Sequence, residues 1–159
     1  WCDGMEISQF TYFQQMGGID CSPIPLELTY GLERLAMFIQ NVENIFDISW
    51  SQSSTKNVFY KDIFLKNEIE FSYYNFEKAN VDILYKQFEM AQEECKTLLN
   101  NNNKPLSLPA YDQCLKSSHI FNLLDARGAI SVSERQGFIL KIRNLAKECC
   151  EAYLNSFED

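Results

Sequence analysis

Leu26-Glu27-Leu28-Thr29-Tyr30 alternates apolar and polar side chains, and Gly31-Leu32-Glu33-Arg34-Leu35-Ala36-Met37-Phe38-Ile39-Gln40 follows it at helical spacing. A period of two predicts a short strand and a period near 3.6 predicts a helix, so a strand runs into a helix through one glycine. Upstream, Met5 to Met16 is dense in β-branched and aromatic types and stops at Gly17-Gly18, a turn signal. The expectation is one long strand. Its faces, Glu6, Ser8, Phe10, Tyr12, Gln14 and Met5, Ile7, Gln9, Thr11, Phe13, Gln15, each mix polar and apolar groups. That mixture suits the floor of a polar cleft, and equally a partly exposed edge strand.

Downstream the pattern turns helical. From Asn75 to Asn100 the positions Val81, Leu84, Tyr85, Phe88, Ala91, Cys95, Leu98 and Leu99 follow three-and-four spacing, and Asn100 to Asn103 with Pro105 ends the run. A second helix is predicted near Pro109, with Tyr111, Cys114, Leu115, Ser118 and Leu123. Ser131-Val132-Ser133-Glu134 has capping-box spacing for a third, whose stripe is Phe138, Ile139, Ile142, Leu145, Ala146, Cys149 and Tyr153. Three such stripes predict a helical bundle. Asn44 to Phe64 is aromatic-rich and receives no assignment, its Ser51 to Thr55 stretch having the composition of a surface loop. The fold class is α+β: a segment over residues 1–65 that holds the strands and the Gly31–Gln40 helix, then a helical domain over 66–159.

With 159 residues, 46% hydrophobic and 14% aromatic, the chain is large enough for one domain or two small ones with a buried core. Its 22 acidic against 14 basic residues give a net charge of -8, which argues against nonspecific binding to a phosphate backbone. No run approaches the ~18 apolar residues of a membrane span, so a soluble chain with no membrane partner is expected. The six cysteines form no CxxC pair and His119 has no nearby Cys or His, so no zinc site is expected, His119 reads as structural, and a reducing cytoplasm is the expected compartment. GxGxxG, GxxxxGK[ST] and GxSxG are all missing, which removes Rossmann, P-loop and hydrolase-elbow readings. A chain that opens on Trp1 within strand-like sequence reads as a fragment of something longer.

Arg34 is the most informative side chain. A cation in the first turn opposes the helix dipole, whereas an anion bound there gains from free N–H groups and guanidinium together, so phosphate is the candidate ligand. Pairing with a carboxylate, or plain solvent exposure, is the alternative. Glu6 and Glu27 fall on the two predicted strands. If these neighbour, two carboxylates share a cleft with Arg34, a set suited to a nucleotide with Mg²⁺; exposed strand glutamates are the bland reading.

Gly4-Met5-Glu6-Ile7, Gln9-Phe10-Thr11-Tyr12-Phe13-Gln14-Gln15 and Thr29-Tyr30-Gly31-Leu32-Glu33-Arg34-Leu35-Ala36-Met37 resemble the alpha subunit of bacterial heterotetrameric glycyl-tRNA synthetase. The resemblance continues through Tyr74-Asn75-Phe76-Glu77, Leu108-Pro109-Ala110-Tyr111 and the run from Phe121 to Arg135. It implies a class II synthetase whose third signature motif is the strand and helix around Arg34. By that resemblance Arg34 is the catalytic arginine on the ATP γ-phosphate, and Glu6 holds ATP-bound Mg²⁺. Gln9, Thr11, Glu27 and Thr29 would line the glycine and adenylate pocket, with Phe10, Tyr12 or Phe13 as steric limits that exclude side chains. The implied reaction joins glycine to ATP as glycyl-adenylate and transfers it to tRNA(Gly). The implied partners are a beta subunit that carries most tRNA contacts, docked on the helical bundle, and a second alpha subunit within a heterotetramer. The first two class II motifs would precede Trp1, so the chain alone is expected to be inactive. At Ser51 to Asn57 polar residues replace the family's Gly-rich loop. The alternative function is a noncatalytic helical interaction module that retains the synthetase fold.

Overall fold

The computed structural model describes residues 1–53, 56–101 and 104–157. Parts of two expectations, the Ser51 to Asn57 loop at residues 54 and 55 and the Asn100 to Asn103 stop at residues 102 and 103, lie outside the described residues. The chain divides into two units: residues 1–14 with 22–73, and residues 15–21 with the chain from Tyr74 onward.

In the first unit, β1 (Ser8–Tyr12) ends earlier than expected, because its residues find one partner while the next residues find another. The next two strands, β2 (Gln15–Met16) and β3 (Ile19–Asp20), form their own antiparallel hairpin in the second unit. The predicted long strand is therefore two strands. The hairpin turn is Gly17-Gly18, both with positive φ, the conformation a two-residue turn requires. β1 instead pairs antiparallel with β4 (Leu26–Tyr30) in the register Ser8 with Tyr30, Gln9 with Thr29, Phe10 with Leu28, Thr11 with Glu27 and Tyr12 with Leu26.

β4 passes through Gly31 into α1 (Leu32–Gln40), as the alternation predicts. The helix stops at Asn41, which takes the left-handed conformation while its N–H and that of Val42 close on Phe38 and Met37. A single 3₁₀ turn (Ile45–Asp47) leads to β5 (Ser49–Ser51), which pairs with β6 (Val58–Phe59). Then comes α2 (Tyr60–Tyr73), a helix with no buried residue and no apolar stripe. Its first turn is held by the Asp62 carboxylate, which accepts the Phe59 N–H at 2.8 Å. Phe46, Trp50, Tyr60 and Phe64 form a chain of ring contacts at centroid distances of 4.5 to 6.2 Å.

The second unit holds the bundle. A π-helical turn (Tyr74–Lys78) occupies the start of the stretch expected as one helix from Asn75; the regular helix α3 (Val81–Leu99) begins only after Asn80, whose side chain accepts the Ile83 N–H. Arg127 closes that turn by donating to the carbonyls of Phe76 (2.6 Å) and Ala79 (3.1 Å). α4 (Ser107–Ala126) starts two residues before Pro109, which is tolerated in the first turn because no helical partner awaits its missing N–H. α5 (Val132–Asn155) opens on the expected capping box: Ser131 and Glu134 each accept the other's backbone N–H.

Two apolar clusters fill the bundle. One joins Leu84, Phe88, Ala91, Ile120, Phe121, Leu123, Leu124 and Ile130, with the Phe138 ring tilted against Phe88 at 4.8 Å. The other joins Cys95, Ala110, Cys114, Leu145 and Cys149. In the first unit, among the described residues, only the apolar side chain of Ile48 is fully buried.

Candidate functional site

The antiparallel register decides which side chains share a face, since directly opposed residues point the same way. Gln9 opposes Thr29 and Thr11 opposes Glu27, so all four expected pocket residues lie on one face of the β1–β4 ribbon. They are already linked in pairs along each strand. Thr29 donates its hydroxyl to the Glu27 carboxylate, and the Gln9 amide reaches Thr11 Oγ1 at 3.5 Å. The result is a small patch of fixed donors and acceptors with one carboxylate.

The other face carries Phe10, Tyr12, Leu26, Leu28 and Tyr30, each at least 53% exposed. Neither face of the long strand looked purely apolar in sequence; pairing with β4 separates a polar face from an apolar one. Phe10 and Tyr12 meet edge-to-face at 4.8 Å on the side away from Gln9, Thr11, Glu27 and Thr29, so the two sets of expected pocket residues lie on opposite faces of the ribbon.

Arg34 sits in the first turn of α1, where the Gly31 N-cap has no side chain to satisfy the free N–H groups. Gly31 is itself fixed by an N–H bond to the Ile7 carbonyl at 2.8 Å, which brings the start of the helix beside the residue before β1. Arg34 Nη1 donates to the Glu6 backbone carbonyl at 2.7 Å. The structure thus joins Glu6 and Arg34, through the main chain and not through the carboxylate. The half-buried Glu6 carboxylate has no hydrogen-bond or ion-pair partner among the described residues. Glu33 places a second carboxylate in the same helical turn.

One supporting residue had no signal in the sequence. The Gln40 side chain donates to the Ser49 carbonyl (3.1 Å) and accepts its N–H (2.7 Å), fastening the end of α1 to β5. A lone glutamine at a helix end looks like any solvated residue until its partner strand is known. His119 was expected to be structural. It lines an open groove of about 730 Å³ between α3 and α4, with Met90, Ala91, Leu115 and Ile120.

Short antiparallel ribbons, one of them feeding an arginine-bearing helix, followed by a helical bundle, make this an α+β protein with a polar site at a strand-to-helix junction. A family model described as glycyl-tRNA synthetase alpha subunit matches residues 1–158, essentially the whole chain, and the chain belongs to that family. It is therefore a subunit type of an aminoacyl-tRNA ligase, an enzyme of translation whose substrates include tRNA and ATP. Among the described residues no helix is long and apolar enough to cross a membrane.

Proposed function

We propose that the chain is the part of a class II glycine–tRNA ligase alpha subunit that holds the third signature motif, and that its parent activates glycine with ATP. The observation that carries this reading is the junction itself. Arg34 lies at an uncapped helix start beside Glu6, and the strand entering that helix shares a polar face with β1.

In this reading Arg34 binds the ATP γ-phosphate with help from the free N–H groups of α1. Glu6 would hold Mg²⁺, which fits a carboxylate left without a protein partner and would neutralise triphosphate charge. Gln9, Thr11, Glu27 and Thr29 orient glycine and the adenylate, Glu27 supplying the negative charge that an amino group seeks. A glycine carboxylate oxygen attacks the α-phosphorus and the bond to pyrophosphate breaks; a terminal ribose hydroxyl of tRNA(Gly) then attacks the glycyl carbonyl and the bond to AMP breaks. Positioning and charge neutralisation supply most of the acceleration. The bundle, with its α3–α4 groove, is the proposed docking surface for a beta subunit that carries most tRNA contacts, within a cytoplasmic heterotetramer containing an alpha dimer.

A nonhydrolysable glycyl-adenylate analogue tests this in the full-length complex by thermal unfolding. The analogue should raise the midpoint, and Glu27→Gln should remove most of the rise while leaving the unliganded midpoint in place. No rise in the wild type would favour a noncatalytic interaction module. An undiminished rise in the variant would remove Glu27 from the pocket.

A further inference from the structure

Four cysteines of the second unit sit on three helices: Cys95 on α3, Cys114 on α4, and Cys149 and Cys150 on α5. Cys95 is 0% and Cys149 3% exposed, and their sulfurs lie 3.8 Å apart although 54 positions separate them in sequence. Leu145, Ala110 and Ala146 surround them, and the Cys114 sulfur is turned to the Ile142 carbonyl at 3.8 Å. Among the described residues no group of three or more His, Cys, Asp or Glu side chains is placed to hold a metal ion. A buried cysteine otherwise packs as a small apolar side chain, so what sets this pair apart is the direct contact of its two sulfurs.

We propose that Cys95 and Cys149 are a latent oxidation site of the bundle, at which a peroxide converts the two thiols into one disulfide that ties α3 to α5. One sulfur attacks the peroxide O–O bond, giving a sulfenic acid and a first water. The second thiol attacks that sulfur, the S–S bond forms, the S–O bond breaks, and a second water leaves. The two thiols together lose two electrons and the peroxide gains them.

The geometry requires little movement. A disulfide bond is about 2.05 Å long, so the sulfurs must approach by about 1.8 Å, within reach of side-chain rotation and a small helix shift. Burial also sets when the reaction occurs. Desolvation raises the Cys95 thiol and pushes Cys149 up to about 12, so the reactive thiolate is suppressed while the bundle is closed. Oxidation therefore follows transient opening of α5 from α3, and the product locks the reclosed bundle.

Hydrogen peroxide applied to the full chain at mild urea concentrations, followed by intact-mass measurement and peptide mapping, tests the proposal. The expected product has lost two hydrogens, carries a Cys95–Cys149 linked peptide, and unfolds at least about 5 °C higher than the reduced chain. Cys95→Ala and Cys149→Ala, which keep an apolar side chain in place, should each abolish the cross-link, whereas Cys114→Ala and Cys150→Ala should retain it. A cross-link through Cys114 or Cys150, sulfinic or sulfonic products with no cross-link, disulfides only between chains, or no reaction at any urea concentration would each overturn it.

Discussion

Replacing Arg34 by alanine separates the two tasks assigned to that side chain. Its one hydrogen bond among the described residues, to the Glu6 carbonyl at 2.7 Å, is solvent-exposed, so its loss should lower stability by only about 0.5–1.5 kcal/mol. Its proposed contact to a triphosphate joins two charged groups, and hydrogen bonds of that kind contribute about 1.5–3 kcal/mol, or about 10- to 150-fold in kcat/KM for ATP. The variant should therefore unfold within a few degrees of the wild type yet lose at least an order of magnitude in glycine-dependent exchange between ATP and pyrophosphate, measured with the full-length alpha subunit and its beta subunit. Arg34→Lys keeps the charge without the planar fork and should fall between the two. Exchange by Arg34→Ala within twofold of wild type would refute the phosphate role. An activity loss matched by a comparable collapse in stability would mean that the residue only holds Glu6 in place.

Three further outcomes follow from the second unit. Phe88→Ala removes a ring that is 2% exposed and in contact with Phe138, and should lower unfolding stability by about 3–5 kcal/mol in urea titration. Gly17→Ala should destabilise by about 1–3 kcal/mol, more than Gly18→Ala. Both glycines have positive φ, but a Cβ at Gly17 would lie 2.8 Å from the Cys150 sulfur whereas one at Gly18 meets nothing. Glu134 has its carboxyl held below the usual 4.5 by the Ser131 hydroxyl and then by the Ser131 N–H. A lowered folded value means that its contribution is fully present above pH 4.5 and is lost as pH falls from there through the lower folded value. Thermal melts should accordingly show wild type above Glu134→Ala at pH 7, with the gap narrowing in acid.

The helices could be read where burial is regular. Leu84, Phe88, Ala91 and Cys95 recur at the spacing that α3 buries, and Ser131 with Glu134 announces α5 before any contact is known. α2 could not be read that way, because it buries nothing and its aromatic and β-branched residues resemble strand. The break between Tyr12 and Gln15 is equally silent, since alternation within one strand does not say that Phe13 still bonds Pro25 while Gln15 and Met16 turn back on Ile19 and Asp20. At the site, the residue types were legible but their arrangement was not. That Gln9, Thr11, Glu27 and Thr29 share one face, and that Phe10 and Tyr12 occupy the other, depends on a register that only the pairing of β1 with β4 reveals. Arg34 stood out by its place in the helix, yet its partner proved to be a carbonyl, which no sequence pattern marks.

The central claim is glycine activation by the alpha subunit. The direct measurement is amino-acid-dependent exchange of pyrophosphate into ATP by the combined alpha and beta subunits, with glycine, alanine and serine compared on one preparation. The account predicts exchange with glycine and at least about 10-fold less with alanine or serine. Equal exchange with all three, or none with glycine, would contradict it.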